Sequence, residues 1–202
     1  MVAIIDYDAG NIKSVQKALA KLGQEAEITS EAEKILAADR IILPGVGAFG
    51  DAMQNLRARG LDGVIHRAVD AGIPFLGICL GQQLLFERSD EAPGVEGLGI
   101  LEGEILRIPA AKGLKIPHMG WNSLHLSHGG RLFRGVEEQS YVYFVHSYYL
   151  KARDGDIVKA STEYGVEIHA SVEKDNVFAC QFHPEKSGGA GLRILGNFLE
   201  VE

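Results

Sequence analysis

A chain of 202 residues with 46% hydrophobic side chains is long enough to bury a full core, and one compact domain spanning 1–202 is expected. Its formal net charge of −7, without a basic run, excludes the electrostatic footprint of a nucleic-acid binder and offers no polybasic segment to an anionic membrane. The 2 cysteines make no disulfide framework and no paired Cys/His spacing for zinc, no apolar run reaches membrane-spanning length, and Met1 to Asp6 lacks the features of a signal peptide; a reducing cytoplasm is the expected setting.

Val2 to Asp6 reads as a buried strand, followed by the turn Tyr7-Asp8-Ala9-Gly10-Asn11 and then by Ile12, Val15, Leu19 and Leu22 at helical spacing. A second strand, Arg40 to Leu43, turns at Pro44-Gly45-Val46-Gly47 into the helical stretch AFGDAMQNLRARG and a further helical run from Leu61 to Ala71. The third unit runs from PFLGI into LGQQLLFE. Strands alternating with helices predict an α/β fold, a central mostly parallel sheet flanked by helices, with ligands beyond the carboxyl ends of the strands.

After Gly103 the pattern changes to short strands, GEILRI, NSLHL, YVYFVHSYYL, DIVKAST and VEIHASV, which predict an additional antiparallel or mixed region. Leu192, Leu195, Phe198 and Leu199 form a helical stripe expected to face the core. Ser89 to Gly99, Ala110 to Lys115 and His128 to Gln139 read as loops, and all the candidate chemistry falls outside them.

Cys79 stands between Gly77 and Gly81 where a strand runs into a helix, the signature of a nucleophile elbow. Such a turn lifts the side chain clear of the sheet and points it at a helix N-terminus, whose unpaired N–H groups favour a thiolate. A buried cysteine is also an ordinary small core residue. The balance changes with Gln181-Phe182-His183-Pro184-Glu185-Lys186 downstream. His183 and Glu185 are two apart, so in an extended segment they share a side, where the carboxylate can hold the imidazole while its other nitrogen faces a thiol.

Acyl transfer builds negative charge on a carbonyl oxygen, which two aimed backbone N–H groups stabilise. Leu80 supplies one by geometry, and Val46 or Gly47 can supply the other. Gln83 lies one helical turn beyond Cys79, where its amide can pair with a substrate amide or amino acid. Pro117-His118-Met119-Gly120-Trp121-Asn122 is either a packed loop or an interface. The aromatics of Tyr141 to Tyr149 are expected to pack the core, with His146 a satisfied core histidine, and Cys180 is a strand residue without chemistry.

Taken together, these stretches resemble the class I, triad-type glutamine amidotransferases. The resemblance lies in Asp6-Tyr7 with Gly10-Asn11, LPGVGAFGDAM (43–53), GICLGQQLLFE (77–87), PHMGWN (117–122), YFVHSYY (143–149) and QFHPEKSG (181–188). GICLG and HPE mark the superfamily; PGVGAFG, PHMGWN and YFVHSYY narrow the resemblance to glutaminase subunits of imidazole glycerol phosphate synthases. The family implies its own α/β fold, a Cys79 nucleophile, His183 as the base that takes and returns the proton, and Glu185 as its orienting acid. It implies that Gly47, Gln83, Ser147 and Tyr148 hold L-glutamine, and that the Val46 loop adjusts the oxyanion hole. It further implies a heterodimer in which Pro117 to Asn122 and Lys186 face a (βα)₈-barrel cyclase that receives ammonia, without a cofactor.

The sequence itself carries no Walker-type loop, dinucleotide fingerprint or metal cluster, so a phosphorylated substrate would be handled elsewhere. Gln82 stands where the family commonly has methionine, and Asp8 where glycine is frequent. A free-standing cysteine hydrolase, the glutaminase of another synthase, and a non-catalytic binding module are the alternatives.

Overall fold

The computed structural model describes residues 1–8, 10–127 and 129–201. In chain order the first half comprises β1 (Val2–Ile5), α1 (Ile12–Lys21), β2 (Ala26–Thr29), α2 (Ala32–Leu36), β3 (Arg40–Gly45), α3 (Phe49–Ala58), α4 (Leu61–Asp70), β4 (Phe75–Cys79) and α5 (Leu80–Leu84). The second half contributes β5 (Arg88–Ser89), β6 (Gly103–Arg107), β7 (His118–Ser123), β8 (His125–Leu126), β9 (Tyr141–His146), β10 (Tyr148–Ala152), β11 (Val158–Glu163), β12 (Glu167–Lys174), β13 (Val177–Cys180) and α6 (Gly188–Leu199).

An 8-stranded sheet runs in the order β2-β1-β3-β4-β13-β12-β11-β8. From β2 to β13 the neighbours are parallel, and from β13 to β8 they are antiparallel. Parallel strands covered on both faces need apolar side chains at every position, and the sequence supplies them: β1, β4 and β13 are buried along their whole lengths. Alternation then divides the core in two. Ala3, Ile5, Ile41, Leu43 and Phe75 face the side covered by Leu56 of α3 and Ile65 of α4. Val2, Ile4, Ile42, Leu76 and Ile78 face the side covered by Val15 and Leu19 of α1 and Leu195 and Phe198 of α6.

Several expectations need revision. Leu22 falls past the end of α1 and is 37% exposed; the stripe that buries is Ile12, Val15, Ala18 and Leu19. Between Gly23 and Asp39, where no element is predicted, β2 and the five-residue α2 form. Every position of β2 but Thr29 is only half-buried, and α2 buries Ile35 alone, so neither carries a strong period. The helix after Cys79 stops at Leu84 instead of continuing to Glu87. The segment from 117 to 122 is not a loop: most of it is β7, paired antiparallel with β9. The long strand from Tyr141 splits at Ser147, and in β9 alternation sends Val142, Phe144 and His146 inward while Tyr141 stays exposed and Tyr143 half-buried.

Candidate active site

Strand register assembles the site. β4 lies between β3 and β13, parallel to both, with Gly45 level with Cys79 and Cys180 level with Ile78. The loop leaving β3 and the segment leaving β13 therefore emerge on either side of Cys79, at the carboxyl edge where a doubly wound sheet places its ligands. Cys79 itself adopts φ 56°, ψ −110°, a left-handed backbone that a non-glycine residue holds only when its surroundings impose it. The flanking glycines explain how. A Cβ at Gly81 would sit 1.9 Å from the Leu43 carbonyl oxygen, and one at Gly77 would sit 2.7 Å from the Gly81 oxygen. The spacing G-x-C-x-G is the price of folding a strand that tightly onto its helix.

On the far side of the sulfur, the His183 N–H donates to the Tyr143 carbonyl at 2.9 Å, and Pro184 begins a 3₁₀ turn over Pro184–Lys186. The segment is thus not extended as the sequence suggests; the turn, not strand alternation, brings the two side chains together. His183 Nδ1 lies 2.8 Å from Glu185 Oε1, and the two side chains are 1% and 0% exposed. Burial disfavours the imidazolium, but the Cys79 thiol and the Glu185 carboxylate beside it outweigh burial and push the His183 pKa up to about 9. Among the described residues His183 Nε2 has no hydrogen-bond partner, although the Cys79 sulfur is the strongest of the influences favouring its proton. The sulfur's own contacts are long: 4.0 Å to the Val145 carbonyl oxygen and 3.7 Å from Gln181 Nε2.

A cavity of about 360 Å³ opens over this pair. Cys79, His183, Val46, Gly47 and Leu80 line it together, so the predicted nucleophile, base and oxyanion donors share one space. Gly47 holds φ 102°, a conformation that suits glycine alone. Gln83, Ser147 and Tyr148 line the cavity as well, but the Gln83 amide N–H₂ is already committed, to Gln181 Oε1 at 2.9 Å and the Tyr148 carbonyl at 3.1 Å. Its oxygen is the part of the amide left to pair with a ligand.

On sequence grounds Glu91, Val145 and His146 have no place in this space, and Pro117 is placed only at a partner face. Glu91 comes from the segment read as a chemistry-free loop, and its Oε2 accepts the Phe49 N–H at the start of α3 at 2.8 Å. Pro117 reaches the same cavity, just ahead of β7.

Beyond Pro117, Met119 and Trp121 are 61% and 55% exposed, while Trp121 meets Tyr143 edge-on and the Lys186 ammonium lies over the Tyr143 ring. His118 points the other way and is buried, its Nδ1 2.9 Å from His146 Nε2. His146 Nδ1 lies 2.8 Å from the Tyr148 carbonyl, which can only accept, so that nitrogen carries the proton. Burial lowers both pKa values, to about 4 for His118 and about 3 for His146, leaving the pair neutral; His118 Nδ1–H then donates to His146 Nε2. Cys180 is fully buried, and burial raises its thiol well above the ordinary value. Among the described residues no group of three or more His, Cys, Asp or Glu side chains is placed to hold a metal ion, and no helix is long and apolar enough to cross a membrane.

Residues 3–201 match the family model of class I glutamine amidotransferase. The chain is 52% identical to the imidazole glycerol phosphate synthase subunit HisH of Caldanaerobacter subterraneus subsp. tengcongensis, covering 100% of this chain and 98% of that one. It is 51% identical to the subunit of the same name from Methanocaldococcus jannaschii, over 100% of both. Among solved structures it superposes on PurLQS from Thermotoga maritima with TM-score 0.78 at 23% identity, covering 98% of this chain and 97% of that one, which is a likeness of fold.

Proposed function

Since the chain belongs to the class I glutamine amidotransferases, and within them to the HisH subunits of imidazole glycerol phosphate synthase, we propose that Cys79, His183 and Glu185 are the residues with which it hydrolyses glutamine. Its function is that of the glutaminase subunit in histidine biosynthesis. One observation carries the residue assignment: a cysteine held in a left-handed elbow shares a cavity with a histidine whose other nitrogen is anchored on a buried carboxylate.

The chemistry follows from that arrangement. With His183 protonated, its partner sulfur can stand as the thiolate and attack the side-chain carbonyl of glutamine. The oxygen becomes an oxyanion within reach of the Leu80 N–H and of the Val46 to Gly47 backbone. His183 gives its proton to the leaving nitrogen, ammonia departs, and a thioester remains on Cys79. Water then loses a proton to His183 as it attacks the thioester, glutamate leaves, and the histidine is again protonated. Glu185 keeps the imidazole turned toward the sulfur throughout. The Gln83 oxygen and the Glu91 carboxylate give the cavity acceptors suited to an amino group, and the Ser147 hydroxyl gives it a donor suited to a carboxylate.

Ammonia released into neutral water is protonated and loses its nucleophilicity, so it is delivered to a (βα)₈-barrel cyclase held in a heterodimer. The exposed Met119 and Trp121, with Lys186 beside Tyr143, form the face that meets this partner. The test is to measure glutamine hydrolysis by the chain with and without the co-purified cyclase and its nucleotide substrate. Stimulation by the cyclase is expected, together with a Cys79→Ala complex that still makes product from added ammonia. Full hydrolysis without the cyclase would favour a free-standing hydrolase.

A further inference from the structure

Asn11 occupies the N-cap position of α1, where an asparagine ordinarily turns its side-chain oxygen onto the first free N–H groups of the helix. Here it makes no such cap. Its backbone is left-handed, φ 73°, ψ 3°, a conformation asparagine tolerates better than most residues. That turn sends the side chain across the site, where Nδ2 donates to Glu185 Oε1 at 2.5 Å, over a sequence separation of 174.

The acceptor is the same carboxylate oxygen that takes His183 Nδ1 at 2.8 Å. The other oxygen, Oε2, is buried and without a partner among the described residues. A carboxylate turns easily about its last bond, because that torsion has broad minima. With both donors on one oxygen and none on the other, the rotation of Glu185, and through it the plane of the His183 ring, is set by Asn11. From this geometry we infer that Asn11 is a positioning residue for the triad: it holds the orienting acid, as the acid holds the base. The inference rests on the triad proposed above and adds a fourth member to it.

The residue type fits the task. Glycine would accept the left-handed backbone but donates nothing from a side chain, and aspartate would keep the shape but present a second carboxylate to Glu185. The test is steady-state glutamine hydrolysis by the complex with the cyclase, for Asn11→Gly, Asn11→Asp and, in parallel, Cys79→Ala. The low-field proton resonance of His183 Nδ1–H is read by NMR in the same complexes. Asn11→Gly is expected to lower kcat about tenfold with KM changed less than about twofold, since misorientation of a catalytic group is felt in the chemical step. Asn11→Asp should lower kcat further, and in both the Nδ1 proton resonance should move. Circular dichroism and complex formation report folding, and if Asn11→Gly does not fold, Asn11→Asp carries the test alone. Unchanged kcat and an unmoved resonance, with Cys79→Ala inactive, would overturn this inference and leave the triad standing. Undiminished glutamine use by Cys79→Ala would instead overturn the triad itself.

Discussion

His183 and the His118–His146 pair are buried to a similar degree, at 1% exposure against 3% and 6%, yet their pKa values move in opposite directions, up to about 9 for the first and down to about 4 and 3 for the others. Burial pushes all three toward the neutral form. What separates them is the company each keeps. His183 faces a thiol and a carboxylate, groups that gain from a neighbouring positive charge; His118 and His146 face each other, an amide and a carbonyl, where one lone pair and one N–H per ring satisfy everything. The charge on His183 is itself among the influences that keep His146 neutral. The lesson is that a buried histidine becomes chemical equipment or structural filler according to whether its partners can be anions.

The most severe way to break the contrast is Cys79→Ala. It should remove glutamine hydrolysis by on the order of 10⁶-fold, as loss of the nucleophile does in other acyl-transfer triads. It should also lower the His183 pKa from about 9, because the thiol is the strongest influence opposing burial; a pH titration of the His183 ring by NMR checks this. Glu185→Ala attacks the same contrast from the other side and should cost less, on the order of 10⁴-fold in kcat.

The two regions also predict opposite limbs of a stability profile. His118 and His146 take up protons more readily unfolded than folded, so their contribution is present above about pH 6.5 and lost as pH falls from there toward about 4 for His118 and about 3 for His146. His183 takes up its proton more readily folded, so its contribution is present below about pH 6.5 and lost as pH rises through about 9. Denaturant titrations at pH 5, 7 and 9 should show both limbs. His118→Gln, which keeps a donor for His146, should shrink the acid limb to the part owed to His146 and leave the alkaline one.

The smallest effect concerns a buried amide oxygen without a partner among the described residues. Gln82 is fully buried, its Nε2 reaches only the His169 carbonyl at 3.4 Å, and its Oε1 has no partner among the described residues. An unpaired buried amide oxygen is costly, and methionine matches its length without the polar atoms. Gln82→Met should stabilise the chain by about 1 kcal/mol, read as a higher denaturation midpoint with unchanged slope.

The parallel half of the fold was legible because its strands are continuous apolar runs and its turns are punctuated by glycine, as at Gly45, Gly77 and Gly81. β2 and α2 were not, since elements that bury one residue each leave no period to read. Cys79, His183 and Glu185 could be proposed as a triad because short motifs carry their spacing. Glu91 and the committed amide of Gln83 could not be foreseen, because both depend on which distant groups the fold brings near: Phe49 in one case, Gln181 and Tyr148 in the other. The tie between Asn11 and Glu185 belongs to the same class.

The register that sets Gly45 level with Cys79 and Cys180 level with Ile78 has a consequence in time. The two sides of the cavity lie far apart in the chain, Cys79 and Gln181 being 102 positions apart, and they meet only when β13 closes against β4. Parallel pairings of such long sequence separation are slow to form. Regain of glutamine hydrolysis during refolding should therefore trail the regain of helical signal, and the enzyme's own turnover becomes a clock for the last strand to dock.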